Sequence, residues 1–470
     1  MFASFSAGPA RGRGSARLAA GTLVSGLVAT AVLAGAGTAA ADEETALDHS
    51  GAAATISGLK TYGAAVIRGA AGDQQVSAGL FEMSVEGGGM LQTYCVDIQT
   101  PTQKDAKYHE TAWSGTSLGA NEDAGRIRWI LQNSYPQVND LAALAKKAGV
   151  RGRLTEQDAA AGTQVAIWRY SDDVSVDAAD PQAEQLADYL QKNARDEEEP
   201  KASLALDPPA VSGRPGEPVG PVTVRTDARS VTVSPPADAA TSGVRIVDKN
   251  GEPVTTAADG SQIFFEVPED AAADTAELTA QASTTVPVGR AFVSESRSQT
   301  QILAGSSEST VSATASATWA LKGAIPALSA RENCAKGGVD VTVANQDDEP
   351  FTFEVAGAEH TVAGGESRTV TVPLSEDRPY DFTVEGPGGF EQRFTGMLDC
   401  LTRAAEIGTT THTLTGPSPT PVAGTPTDTN LAETGSSSAT PWIAGTAIAL
   451  VVLGGAGLVV ARRRNTPSGD

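Results

Sequence analysis

Apolar positions along the chain recur with different periods in different stretches. Within residues 46–201, "AAVIRG", "AGLFEMSVE" and "GGGMLQTYCVDIQTP" read as strands, with Tyr94, Val96 and Ile98 flanking Cys95. Past Gly119 the period lengthens to that of a helix. "NEDAGRIRWILQNSYP" offers an Asn121 cap, acidic residues in its first turn, Ile127, Ile130 and Leu131 on one face, and Pro136 as a stop. "LTEQDAAAGTQVAIWRYSDD" opens on Thr155 with Asp158 three residues on, the spacing of a capping box. That helix sets Gln164 and Trp168 four residues apart, hence on one face. Gly162 lowers its propensity but admits the close approach of another backbone.

Period-2 patterns dominate the rest. "VTVRT", "VTVSP", "GVRIVDKNGEPV" and "IFFEV" alternate, and the Asn250-Gly251 pair predicts a type I′ hairpin turn. Further on, Val339, Val341 and Val343 alternate, then Phe351, Phe353 and Val355, then Val370, Val372 and Leu374, then Phe382 and Val384. Strands at this spacing, separated by Gly/Pro/Asp turns, predict a small Ig-like sandwich. "DEEEPKASLALDPPAVSGRPGEP" (196–218) is charged and then rich in Pro and Gly, which reads as a linker.

The fold class expected is mainly β and multidomain. An N-terminal β-sandwich with helical insertions (α+β, 46–200) precedes two Ig-like β-sandwich domains, a spacer at 204–328 and a smaller unit at 330–405. Residues 406–430, rich in Thr and Pro and poor in apolar side chains, read as an extended stalk.

The two ends bound the compartment. Arg11, Arg13 and Arg17 precede an apolar run from Leu18 that closes on Ala39-Ala40-Ala41, the pattern of a signal peptide over 1–41 with Asp42 as first mature residue. At the other end, 443–461 is uncharged and long enough to cross a bilayer, and Arg462, Arg463 and Arg464 open a basic tail (462–470) that would stay inside. The expectation is a secreted, extracellular protein whose precursor is held in the plasma membrane by that helix. A net charge of −23 argues against nucleic-acid partners and for solubility outside the cell.

Export changes the meaning of the cysteines, of which there are three. Cys334 and Cys400 stand at the two ends of the last unit. Their disulfide would add about 4 kcal/mol in the chain-entropy model, useful to so small a core; the alternative is two free buried thiols. Pairing them leaves Cys95 over.

Leu431, Ala432, Glu433, Thr434 and Gly435 spell "LAETG" just ahead of the apolar segment and basic tail. That three-part order resembles a bacterial sortase sorting signal of the LPxTG type, with Ala432 in the proline position as in actinobacterial variants. The resemblance implies sortase as a processing partner, cleavage between Thr434 and Gly435, and covalent attachment to peptidoglycan.

A thiol and a side-chain amide can also react with each other. A thiolate is a strong nucleophile, and its attack on a Gln carbonyl held in contact with it expels ammonia and leaves a thioester. Orientation supplies much of the barrier reduction, with effective molarities on the order of 10⁵ M or more. "TYCVDI", "WILQNSYP" and "TQVAIW", in that order, resemble the thioester domain (TQxA family) of Gram-positive surface proteins. Thr163, Gln164, Val165 and Ala166 fit the TQxA motif, and Cys95 the aromatic-Cys block. The resemblance covers about a third of the chain. It implies a Cys95–Gln164 thioester, with Tyr94, Asp97, Thr163, Ala166 and Trp168 shaping the pocket. Its implied use is a single covalent bond to an amine-bearing surface protein or other nucleophile, so the chain would be an adhesin and not a turning-over enzyme.

Other readings stay open at this point. The same thioester could cross-link neighbouring chains of a structural wall, or Cys95 could be a small buried hydrophobe. A cysteine peptidase would need His109 oriented beside Cys95, and "AKYHETAW" carries no such signature. No metal-ligand spacing is visible, "VANQDDEP" reads as a solvated acidic turn, and neither cofactor nor metal is expected.

Overall fold

The computed structural model describes residues 45–46 and 50–400, apart from 70, 71, 347, 377, 388, 389 and 399. The expected signal peptide, stalk, sortase motif, apolar C-terminal segment and basic tail lie outside them. Among the described residues no helix is long and apolar enough to cross a membrane.

The architecture is mainly β, in three bodies. In the first, the strands at Ala53–Ile67, Gln74–Val85, Met90–Cys95 and Lys107–Thr111 belong to a seven-stranded antiparallel sheet. The sandwich expected here takes the form of one rolled sheet. Gln74–Val85 pairs with Met90–Cys95 on one side and with Ala53–Ile67 on the other, so six strands close into a barrel and Val176–Ala178 flanks it. Closure removes the exposed edges that an open sheet would offer.

Two of the six barrel strands come from elsewhere in the chain. Ala291–Ser294 and Gln301–Ser306 lie within the 204–328 segment that the sequence assigns wholly to the spacer. They stand between the Cys95 strand and Lys107–Thr111, pairing with each. The cause is a long hairpin. Asp274–Thr285 and Glu308–Trp319 pair residue for residue within the second body, and the chain joining them runs on into the first.

The expected linker is pinned at the same junction. Arg290 Nε meets Glu110 at 2.8 Å and its Nη1 meets Glu199 at 2.8 Å, with the Arg290 side chain 5% and that of Glu110 0% exposed. Glu110 also accepts from Ala52 N and from both the N–H and hydroxyl of Ser203. A carboxylate this buried is tolerable because all of these donors compensate it.

The second body is a sandwich of a five-stranded sheet and a four-stranded sheet. Its Asn250-Gly251 turn is not type I′, which needs positive φ at both residues. Only Gly251 is left-handed, at φ 81°, because Asp248 caps the turn by accepting from the N–H groups of Asn250 and Glu252. The third body packs a three-stranded sheet on a sheet formed largely of Phe351–Val355, Ala358–Val362, Pro379–Gly386 and Phe390–Met397. Val339, Val341, Val343, Phe351, Phe353 and Val384 fill its core, and Cys334 and Cys400 form a disulfide across it.

Candidate functional site

The Cys95 strand loses a neighbour just where the cysteine falls. Gln74–Val85 pairs with it from Ser84↔Met90 to Phe81↔Thr93 and no further. On the other side, Val96 N donates to Thr300 O, which makes Cys95↔Gln301 a non-hydrogen-bonded pair of the ladder. The N–H and C=O of Cys95 therefore point away from Gln301, toward the place the departed strand would have filled.

The Gln164 side chain fills it. Its Oε1 accepts from Cys95 N at 3.0 Å and its Nε2 donates to Cys95 O at 2.8 Å. One primary amide thus replaces a peptide unit of the missing strand. It brings the Gln164 carbonyl against the residue that carries the thiol, 69 residues away in sequence.

The helix Glu156–Ser171 makes this possible. It starts on a capping box in which Thr155 and Asp158 bond reciprocally. It packs against Ala53–Ile67 and Gln74–Val85, with Gly63 meeting Ala161. Behind it lies the helix Pro181–Asn193. A Cβ on Gly162 would stand 2.4 Å from Ala183 O, so only glycine allows this approach. The expected Asn121 cap sits elsewhere: the helix Ala124–Gln132 begins after Asp123, and Asn121 instead receives Asp123 N and donates to Tyr170 O and Ser171 O. Its short amide bridges the helix entry to the end of the Gln164 helix.

The sulfur is sealed in, Cys95 being 1% exposed. Its thiol donates to Asp97 O at 3.1 Å and accepts from Trp168 Nε1 at 3.4 Å. Burial pushes the thiol well above its ordinary pKa, and the carboxylates of Asp172 and Asp97 push the same way. Asp172 follows the Gln164 helix, accepts from Ile98 N at 3.0 Å and from the Ser171 hydroxyl, and is itself pushed up to about 7 by burial.

Chemically, Cys95 N–H donates to the Gln164 amide oxygen, the atom on which negative charge would gather if a nucleophile attacked that carbonyl.

Of the other residues named from the sequence, Trp168 and Asp97 touch the sulfur. Tyr94 is buried and donates to Tyr135 O at 2.8 Å, with the Thr163 side chain against it. Thr163 donates to Ala159 O, and Ala166 is enclosed in the helix packing. His109 lies three strands from Cys95 in either direction round the barrel. The sequence reading did not single out Asp172 or Gln301. The only available signals were the acidic pair ending "WRYSDD" and a further Thr-Gln pair at the head of the apolar run "TQILAG".

Residues 92–196 match the family described as "Thioester domain", a span that contains both Cys95 and Gln164 and supports a thioester-domain protein. Residues 325–397 match the family described as "Bacterial phospholipase C, C-terminal domain". Solved structures similar to the chain include the Bacillus anthracis TIE protein, 14% identical over 74% of this chain and 81% of that one, with a TM-score of 0.26. The thioester domain of the Enterococcus faecium TIE86 protein is 16% identical over 58% of this chain and 97% of its own, with a TM-score of 0.28. That of the Staphylococcus aureus TIE protein is 13% identical over 52% and 86%, with a TM-score of 0.15. No curated protein matches the chain.

Proposed function

We propose that this protein is a cell-surface adhesin whose head forms a Cys95–Gln164 thioester and spends it once, by acylating an amine on a partner surface. The observation that carries the reading is the reciprocal pair of hydrogen bonds between the Gln164 amide and the Cys95 backbone. In formation, Sγ attacks Gln164 Cδ, the C–N bond breaks, and Nε2 leaves as ammonia with the thiol proton and no redox change. In use, a partner amine attacks the same carbon, the C–S bond breaks, and the products are a Gln164-derived amide and free Cys95.

The sortase-like motif at 431–435, the apolar segment and the basic tail support attachment of Thr434 to peptidoglycan after export, with the two sandwiches and stalk lifting the head outward. The test is to expose the head to candidate surfaces and digest the adduct. A lysine joined to Gln164 identifies the partner; a lysine on a second copy of this chain would favour a structural wall cross-link. Repeated turnover of a peptide substrate would contradict both.

A further inference from the structure

Gln301 is fully buried and stands directly opposite Cys95, in a pair whose side chains leave the sheet on the same face. Opposed residues of this kind hold their Cβ atoms roughly 4.5–5.5 Å apart. Thr93, two residues before Cys95 and on that face, donates its hydroxyl to Gln301 Oε1 at 3.0 Å and so fixes the amide. The other end of the amide, Nε2, is shut off from solvent with no hydrogen-bond partner among the described residues. An unmet buried donor costs about 1–3 kcal/mol, which a fold rarely tolerates without a use.

The geometry points to a use at the sulfur and not at the acyl oxygen. Gln164 Oε1 is held by Cys95 N on the strand edge away from Gln301, whereas the Cys95 side chain projects beside Gln301. We propose that Gln301 is a positioning residue for the leaving sulfur: its Nε2 joins Trp168 Nε1 in donating to Sγ when the thioester is opened. As the amine nitrogen bonds to Gln164 Cδ, the C–S electron pair moves onto sulfur and the amine's proton follows to give the thiol. Between those events the sulfur is anionic in a pocket that also holds Asp97 and Asp172. Two N–H donors offset that charge, and one of them is delivered on the hairpin from the second body, outside residues 92–196.

This inference rests on the proposed thioester, and the experiment separates the two. Intact mass of the full wild-type chain is taken first, and a missing ammonia deficit there counts against the thioester. Gln301→Met keeps the volume and removes the donor. It should still show the deficit, yet react with methylamine about tenfold more slowly, the worth of one hydrogen bond to a charged atom. After reaction, alkylation of its Cys95 by iodoacetamide should shift to higher pH, which a purely structural role would not cause. Should Gln301→Met not fold, Thr93→Val, which frees the amide, should slow aminolysis and shift alkylation in the same sense. Wild-type rate and alkylation profile in a folded variant would overturn the role. Without the ammonia deficit in the wild-type chain there is no leaving sulfur, and the role falls with the thioester.

Discussion

Replacing Gly162 by alanine sets two effects against each other. In an exposed helix the added methyl would contribute about 1 kcal/mol through propensity. Here its Cβ would meet Ala183 O at 2.4 Å and Leu186 Cβ at 3.2 Å. A backbone oxygen cannot rotate aside, so the two helices must part by about 1 Å to restore ordinary contact, and overpacking of this kind costs about 1–3 kcal/mol. The clash wins. Melting of the first body should fall by roughly 2–4 °C for each net kcal/mol lost. Gln164 lies two residues on, and moving a reacting carbon by about 1 Å can slow an oriented reaction about 10²-fold. Thermal unfolding, with intact mass followed over time after refolding, measures both. A Gly162→Ala protein that melts higher than wild type and loses ammonia as fast would refute the reasoning.

Three further outcomes follow from the same structure. Asp172, raised from 3.8 to about 7 by burial, binds its proton more tightly folded than unfolded. Its contribution is complete below about pH 4 and is lost as pH rises through about 7, so wild-type stability should fall more between pH 5 and 8 than that of Asp172→Asn; parallel melting curves would contradict this. A fragment ending at residue 203 lacks two of six barrel strands and should show no cooperative unfolding, whereas one ending at 320 should; calorimetry distinguishes them, and a cooperative short fragment would count against the shared barrel. Reducing Cys334–Cys400, 66 residues apart, should destabilise the third body by about 4 kcal/mol and leave the first transition in place.

What the sequence made legible is what local pattern encodes. The alternating valines and phenylalanines of the third body, the capping box at Thr155 and the tight approach at Gly162 each follow from residue spacing and reappear in the structure. What stayed hidden depends on pairing between distant segments. Ala291–Ser294 and Gln301–Ser306 look like any buried strands, and nothing in their periodicity says that they pair with the first body. Gln301 was invisible for the same reason, because its significance comes from standing opposite Cys95. Asp172 reads as one more exposed acid in "SDD" until Ile98 N and Ser171 enclose it. The Asn250 turn failed differently: Asp248, two residues earlier, satisfies the local N–H groups and selects another turn.

The central claim is a covalent bond between Cys95 and Gln164, and intact mass of freshly purified, amine-free protein tests it most directly. The account predicts a mass one ammonia below that of the sequence, restored to the full value in Cys95→Ala and in Gln164→Ala after allowing for each substitution. An unmodified mass in wild type, with Cys95 titrating as a free thiol on unfolding, would contradict it.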